Sequence, residues 1–325
     1  MRCTGKKTVL AGGVLACLLS LSACGADDTV VSYEKETYNT DLYRAELFAE
    51  DLCVTSQDVS VDGFSGDSTL HGAGLFNVTD RQVVYGQHLF DRLYPASTTK
   101  ILTALVAIKN SNLDDVVTVS STASASSFSW DASVAGIQTG DRLTMRDLLY
   151  GLMLPSGNDS AVAIAEYVGG TEEHFMEMVN AEAQNLLATG THFVTPNGLH
   201  DENHYTTPYD LYLIFNECIQ YEEFINIISA PSYTAQITGA DGTVRSVTWE
   251  PTSFYARGEA ALPTGANVIG GKTGYTGEAG NCLVLLDQAA DGDYYISIVM
   301  GAQEKPLLYE DMTAMIDLIP AQQQE

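Results

Sequence analysis

The hydrophobic period of this chain changes twice along its length, and those two changes constrain the fold more than any other feature. Residues 72–88, "GAGLFNVTDRQVVYGQH", alternate as two short strands around the turn "NVTD", a hairpin signal. From residue 101 the period becomes helical. "ILTALVAI" is followed by "LTMRDLLYGLML", with Leu143, Leu148, Leu149, Leu152 and Met153 at helical spacing. "DSAVAIAEYV" continues the pattern up to the stop Gly169-Gly170, then come "EEHFMEMVNAEAQNLLA" and "TPYDLYLIFNECIQY". After residue 231 the chain turns strand-like again in "SYTAQIT", "VRSVTWEP", "VIGGKTG", "NCLVLLDQ" and "YYISIVMGA", with "ADG" turns between some of them. A last helix fits "LYEDMTAMIDLI". This order predicts one α+β domain: an antiparallel sheet made from both chain ends, flanked by helices, with an all-helical insertion.

The start of the chain reads as a targeting segment. Arg2, Lys6 and Lys7 precede a short apolar stretch too Gly-rich for a comfortable membrane span. It ends in Leu21-Ser22-Ala23-Cys24, which resembles the lipobox of bacterial lipoproteins, with an ordinary secretory cut after Ala23 as the alternative. The resemblance implies removal of residues 1–23, lipid on Cys24, and a place on the extracytoplasmic face of a bacterial membrane. Polar, aperiodic residues such as "GADDTVVSYEKETYNT" make 24–46 a tether, leaving 47–319 as the folded domain and 320–325 as a tail.

The formal net charge is −27, and loss of the three signal cations takes it to −30. Without a cluster of Lys and Arg a polyanion cannot be held, so nucleic acid is excluded as a partner. Of six cysteines, Cys3 and Cys17 leave with the signal and Cys24 is the lipidation candidate. Cys53, Cys218 and Cys282 have neither disulfide-framework nor metal-site spacing and read as small buried hydrophobes, a bridge from Cys53 to either of the others remaining open.

Three short motifs carry chemistry. In "PASTTK", Ser97 and Lys100 lie three apart, on one face of a helix and at its start, where free N–H groups favour negative charge. Burial beside Ile101, Leu102 and Leu105 pushes a lysine toward neutrality, so the pair can be nucleophile and base. Alone it reads more simply as an N-cap serine followed by an exposed lysine. Ser156-Gly157-Asn158 lies in the break between two apolar helices and is by itself ordinary turn chemistry. Lys272-Thr273-Gly274 sits on a glycine-flanked strand, which either exposes a lysine at an edge or lets a ligand backbone approach closely.

Together, S-x-x-K, S-x-N and K-T-G occur in that order at separations of 59 and 116 residues. The set resembles the penicillin-recognising serine enzymes. "LYPASTTKILTALVA", "MLPSGNDSAVAIAE", "THFVTPNGLHDENHYTTPYDL" and "IGGKTGYTGEAGNCLV" resemble the low-molecular-mass D-alanyl-D-alanine carboxypeptidases over residues 70–318. That resemblance implies a β-lactamase/DD-peptidase-like transpeptidase fold and a D-Ala-D-Ala carboxypeptidase that trims peptidoglycan stem peptides and is acylated by β-lactams. It implies Ser97 as nucleophile, Lys100 as its base, and Ser156, between Lys100 and Lys272, as the group passing a proton to the departing D-alanine. Lys272 and Thr273, in the K-T-G that ends at Gly274, would hold the terminal carboxylate. Asn158 would bond the acyl side, and the N–H groups of Ser97 and Tyr275 would form the oxyanion hole. No metal or organic cofactor is implied.

Other features resist a functional reading. His200 and His204 in "HDENH" are bracketed by Pro196 and Pro208, against the helix a metal site of that spacing needs. Many relatives hold the carboxylate with a further basic residue after the last strand, where "MGAQEKPLLYEDM" offers only Lys305. The β-rich second domain of better-known members is not expected. Two rivals are a β-lactamase of the same fold and a non-catalytic lipoprotein that binds peptidoglycan or β-lactam. Glu172, Glu173, Glu177 and Glu182 each lack the asparagine four residues on that many such lactamases carry, and intact nucleophile and base residues weigh against simple binding.

Overall fold

A computed structural model describes residues 49–64 and 66–319; the expectations for the signal, Cys24 and the 24–46 tether, and for the 320–325 tail, lie outside the described residues. Strands β1 (Gly72–Asn77) and β2 (Gln82–Gln87) form the expected hairpin. β1 also pairs antiparallel with the last strand of the chain, so both chain ends meet in one sheet. With β7 (Asn267–Thr276), β8 (Gly280–Gln288) and β9 (Tyr294–Ala302), the order is β2-β1-β9-β8-β7. β8 is buried along almost its whole length because both faces of the sheet are covered.

One face packs on the helical insertion. Its centre is α1 (Lys100–Asn110), buried from Lys100 to Ala107. Around it stand α2 (Met145–Met153), α3 (Asn158–Gly169), α4 (Glu172–Asn185), α5 (Pro208–Cys218) and α6 (Glu222–Ser229). A reciprocal Thr144–Asp147 capping box starts α2, and Gly170, at φ +75°, ends α3 where the Gly-Gly stop was expected. The opposite face is covered by α7 (Phe254–Arg257) and α8 (Lys305–Ile316), through a second core of Leu283, Leu285, Val299, Tyr309 and Met312.

Two elements depart from the sequence reading. The strands at 232–238 and 244–251 do not extend the main sheet. As β5 (Tyr233–Thr238) and β6 (Val244–Trp249) they join β3 (Val116–Thr118) and β4 (Arg142–Thr144) in a separate four-stranded sheet. Their alternating burial, against the continuous burial of β8, is the physical mark of a sheet with one wet face. Helix α6, with Phe224, Ile227 and Ile228 buried on one side, falls in a stretch to which the sequence reading assigns no element. Cys53, Cys218 and Cys282 are all buried and unpaired.

Candidate active site

Ser97 is not a helix N-cap. It lies in a 3-10 turn, Ala96–Thr99, that runs straight into α1, with Ala96 forced to φ +49°. The turn is held from below. His204 is 2% exposed and stacks on Phe193; its Nε2 lies 2.8 Å from Thr99 Oγ1, which donates to the carbonyl of Ala96. The N–H of Val194 donates to His204 Nδ1, so Nε2 carries the proton, and burial pushes this imidazole down to about 3. His204 is thus a neutral strut under the serine turn. Gly198 closes the other side: at φ +83°, a Cβ there would stand 1.9 Å from the Ala96 oxygen.

Lys100 is fully buried, which removes the exposed-lysine reading. Its Nζ lies 2.9 Å from Ser97 Oγ, 2.8 Å from Asn158 Oδ1 and 2.7 Å from the carbonyl of Asn197. Burial, then repulsion from Lys272, holds its pKa well below the usual lysine value, with Asp159 opposing. A neutral amine has two N–H donors and one lone pair. Two of the three partners only accept, so the lone pair is left for the Ser97 hydroxyl. The geometry that desolvation favours is the one in which Lys100 can take the serine proton.

Ser156 and Asn158 come from the turn between α2 and α3, where Ser156 adopts φ +63°. Asp159, fully buried, braces this turn by accepting the N–H groups of Ala135, Gly136, Ile137 and Ser160, and Asn158 N–H donates to the carbonyl of Ser133. Lys272 reaches the cleft from β7, the edge strand of the main sheet, with Nζ 2.9 Å from Ser156 Oγ and 2.8 Å from the carbonyl of Thr273. Burial alone lowers it to about 7. Ser156 is therefore paired with Lys272, and no Lys100–Ser156 bond forms among the described residues; the site is two serine–lysine pairs side by side.

Gly274 lets β7 close on the serine turn. A Cβ there would sit 3.0 Å from the nitrogen of Ser97 and from the oxygen of Pro95. The backbone after Gly274, at Tyr275, thereby faces Ser97 across the mouth of a cleft of about 620 Å³. Ser97, Ser156, Asn158, Thr273, Gly274 and Tyr275 line it. Thr252, which sequence reasoning passed over, is 2.5 Å from Thr273 through the two hydroxyls, and Lys305 lines the same cleft with its ammonium 4.3 Å from the Phe254 ring centre. Asn197 was also missed because it acts through a backbone carbonyl, which no side-chain pattern reports. None of Glu172, Glu173, Glu177 and Glu182 lines the cleft, and Glu182 is paired with Lys109.

A serine held against a buried amine, beside a second such pair and an open strand edge, defines a serine acyl-transfer site on an α+β scaffold. A profile of the D-alanyl-D-alanine carboxypeptidases, peptidase family S11, matches residues 71–304, and the chain belongs to that family. It is 31% identical over 245 residues to D-alanyl-D-alanine carboxypeptidase DacF of Bacillus subtilis, covering 73% of this chain and 58% of that relative. The D-alanyl-D-alanine carboxypeptidase of Streptomyces sp. strain K15 is 33% identical over 230 residues, 68% of this chain and 77% of its own length. The crystal structure of the Streptomyces K15 DD-transpeptidase superposes with a TM-score of 0.70 at 30% identity, over 81% of this chain and 99% of that one. Penicillin-binding protein 5 of Haemophilus influenzae does so with a TM-score of 0.67 at 25% identity, over 80% and 71%.

Proposed function

We propose that this protein is a penicillin-sensitive serine D-Ala-D-Ala carboxypeptidase. It removes the terminal D-alanine from peptidoglycan stem pentapeptides through an acyl-enzyme on Ser97, held at the outer face of a bacterial membrane by lipid on Cys24. The observation that carries this reading is the set of partners around Lys100, two carbonyl oxygens and the Ser97 hydroxyl at 2.7–2.9 Å.

Ser97 Oγ attacks the carbonyl between the two D-alanines while its proton passes to Lys100. The tetrahedral oxyanion forms where the backbones of Ser97 and Tyr275 converge. Lys272, kept cationic by the substrate's carboxylate, binds that carboxylate with Thr273, and Lys305 adds positive charge to the same cleft. As the C–N bond breaks, Ser156 gives its hydroxyl proton to the leaving nitrogen and takes one from Lys272, to which it is hydrogen-bonded, and free D-alanine departs. Asn158, with its oxygen committed to Lys100, offers its amide N–H groups to the acyl side. Water then cleaves the ester: its hydroxide joins the acyl carbon, its proton passes through Ser156 to Lys272, and Lys100 returns its proton to the Ser97 oxygen. β-Lactams enter the same attack, which makes them covalent inhibitors.

The test is mass spectrometry of a synthetic pentapeptide stem incubated with the purified domain. Loss of one D-alanine, absent with Ser97→Ala, is the expected result; an intact peptide alongside rapid hydrolysis of penicillin would replace this reading with a β-lactamase. Fractionation of cells producing Cys24→Ala tests the anchor, which fails if that variant is processed and membrane-bound like the wild type.

A further inference from the structure

Two charged side chains besides the catalytic lysines border the cleft among the described residues: Lys305, from α8, and Asp131, from the turn that precedes α2 in the chain. Asp131 forms no ion pair within the described residues, in a chain where Arg81, Lys109, Arg146, Arg245 and Arg257 are all matched to carboxylates. It stands at the tip of a turn closed by the Ala132 N–H donating to the Ser129 carbonyl. Next to it is Trp130, 97% exposed, the most exposed large apolar side chain among the described residues. A tryptophan left so far out of the core has no packing role.

This turn is not a loose loop. On one side Phe128 packs against the main core. On the other, the Ser133 carbonyl accepts the N–H of Asn158, and Asp159 holds the three backbone N–H groups of residues 135–137. The Trp130–Asp131 tip is therefore fixed relative to Asn158, whose oxygen touches Lys100. Asp131 lines the cleft together with Ser133 and Asn158, the residue to which the proposed mechanism gives the acyl side.

An exposed indole and a cleft-lining carboxylate on consecutive residues of one braced turn offer the chemistry that recognises an organic ammonium. We propose that Trp130 and Asp131 form a specificity subsite for a free primary ammonium on the side chain of the stem residue that precedes the two D-alanines. The inference rests on the carboxypeptidase reading and deepens it. In an extended peptide that residue lies ~3.5 Å further from Ser97 than the acyl D-alanine, on the wall where Asp131 stands. Stems whose side-chain amine is already acylated in a cross-link lose both the charge and the fit. The enzyme then prefers stems not yet consumed as amine acceptors, and the reaction that competes for its substrate is amide formation on that same amine.

The experiment compares D-alanine release from Nα-acetyl-L-Lys-D-Ala-D-Ala and from its Nε-acetylated form. An exposed ion pair and a cation–π contact together predict about a 10-fold higher kcat/KM for the free amine. Asp131→Asn should bring the ratio close to one through a higher KM for the free-amine peptide, and Trp130→Ala should lower it in part. A ratio near one in the wild type, or a ratio that Asp131→Asn leaves unchanged, overturns the subsite while leaving the carboxypeptidase reading standing. Cleavage of neither peptide overturns both.

Discussion

Replacing Lys272 by methionine should destroy activity and at the same time make the protein more stable at neutral pH. The Lys272 amine has a pKa of 10.5 in the free side chain and about 7 in the folded protein, through burial alone. Between those values the unfolded chain holds a proton that the folded chain does not. Wild-type stability therefore rises with pH across this window, by about 1.4 kcal/mol per unit for this one group. At pH 7 the buried amine costs roughly 4 kcal/mol, and near pH 10.5 almost nothing. Methionine is of similar length and removes the cost, but it leaves Ser156 Oγ and the Thr273 carbonyl without a donor, at about 1 kcal/mol each. The variant should be roughly 2 kcal/mol more stable than wild type at pH 7 and about 1 kcal/mol less stable near pH 10. Urea unfolding of both proteins at a series of pH values from 7 to 10 measures this directly. Parallel pH dependences, with no crossing, would refute the claim that the folded protein holds this amine against its desolvation cost.

Lys100→Arg, whose charge cannot be lost, should slow acylation by penicillin at least 100-fold, and wild-type acylation should fall on the acid side as Lys100 takes a proton. For His204, at about 3 in the fold against 6.5 free, the unfolded chain binds the extra proton between those values, so stability is lost as pH falls. A thermal-melt series from pH 6.5 to 3.5 should show His204→Gln with a shallower slope than wild type, by about 1.4 kcal/mol per unit.

Much of this arrangement was legible in the residues. The change from period two to helical and back located both parts of the main sheet, because β1 and β9 each carry a buried apolar run that only the other chain end can cover. The spacing of Ser97 and Lys100 allowed a touching pair without requiring one, and the order of the three motifs indicated which side chains to look for together. The division of labour was not legible. Ser156 was placed between the two lysines, yet the positive φ of its turn aims it at Lys272. The acceptor from Asn197 is a backbone carbonyl, and Asp159 is a buried acid whose four donors come from a loop more than twenty residues away and from its own helix. The second sheet escaped because β3 and β4 are three residues each, too short for any alternation to register.

The central claim is that Ser97, activated by a neutral Lys100, is the acylated residue. Its most direct test is peptide mapping of the purified domain after brief exposure to labelled penicillin. A single adduct on the peptide containing Ser97, absent from Ser97→Ala, is the predicted result. An adduct on Ser156 or any other residue, or undiminished labelling of Ser97→Ala, would contradict it.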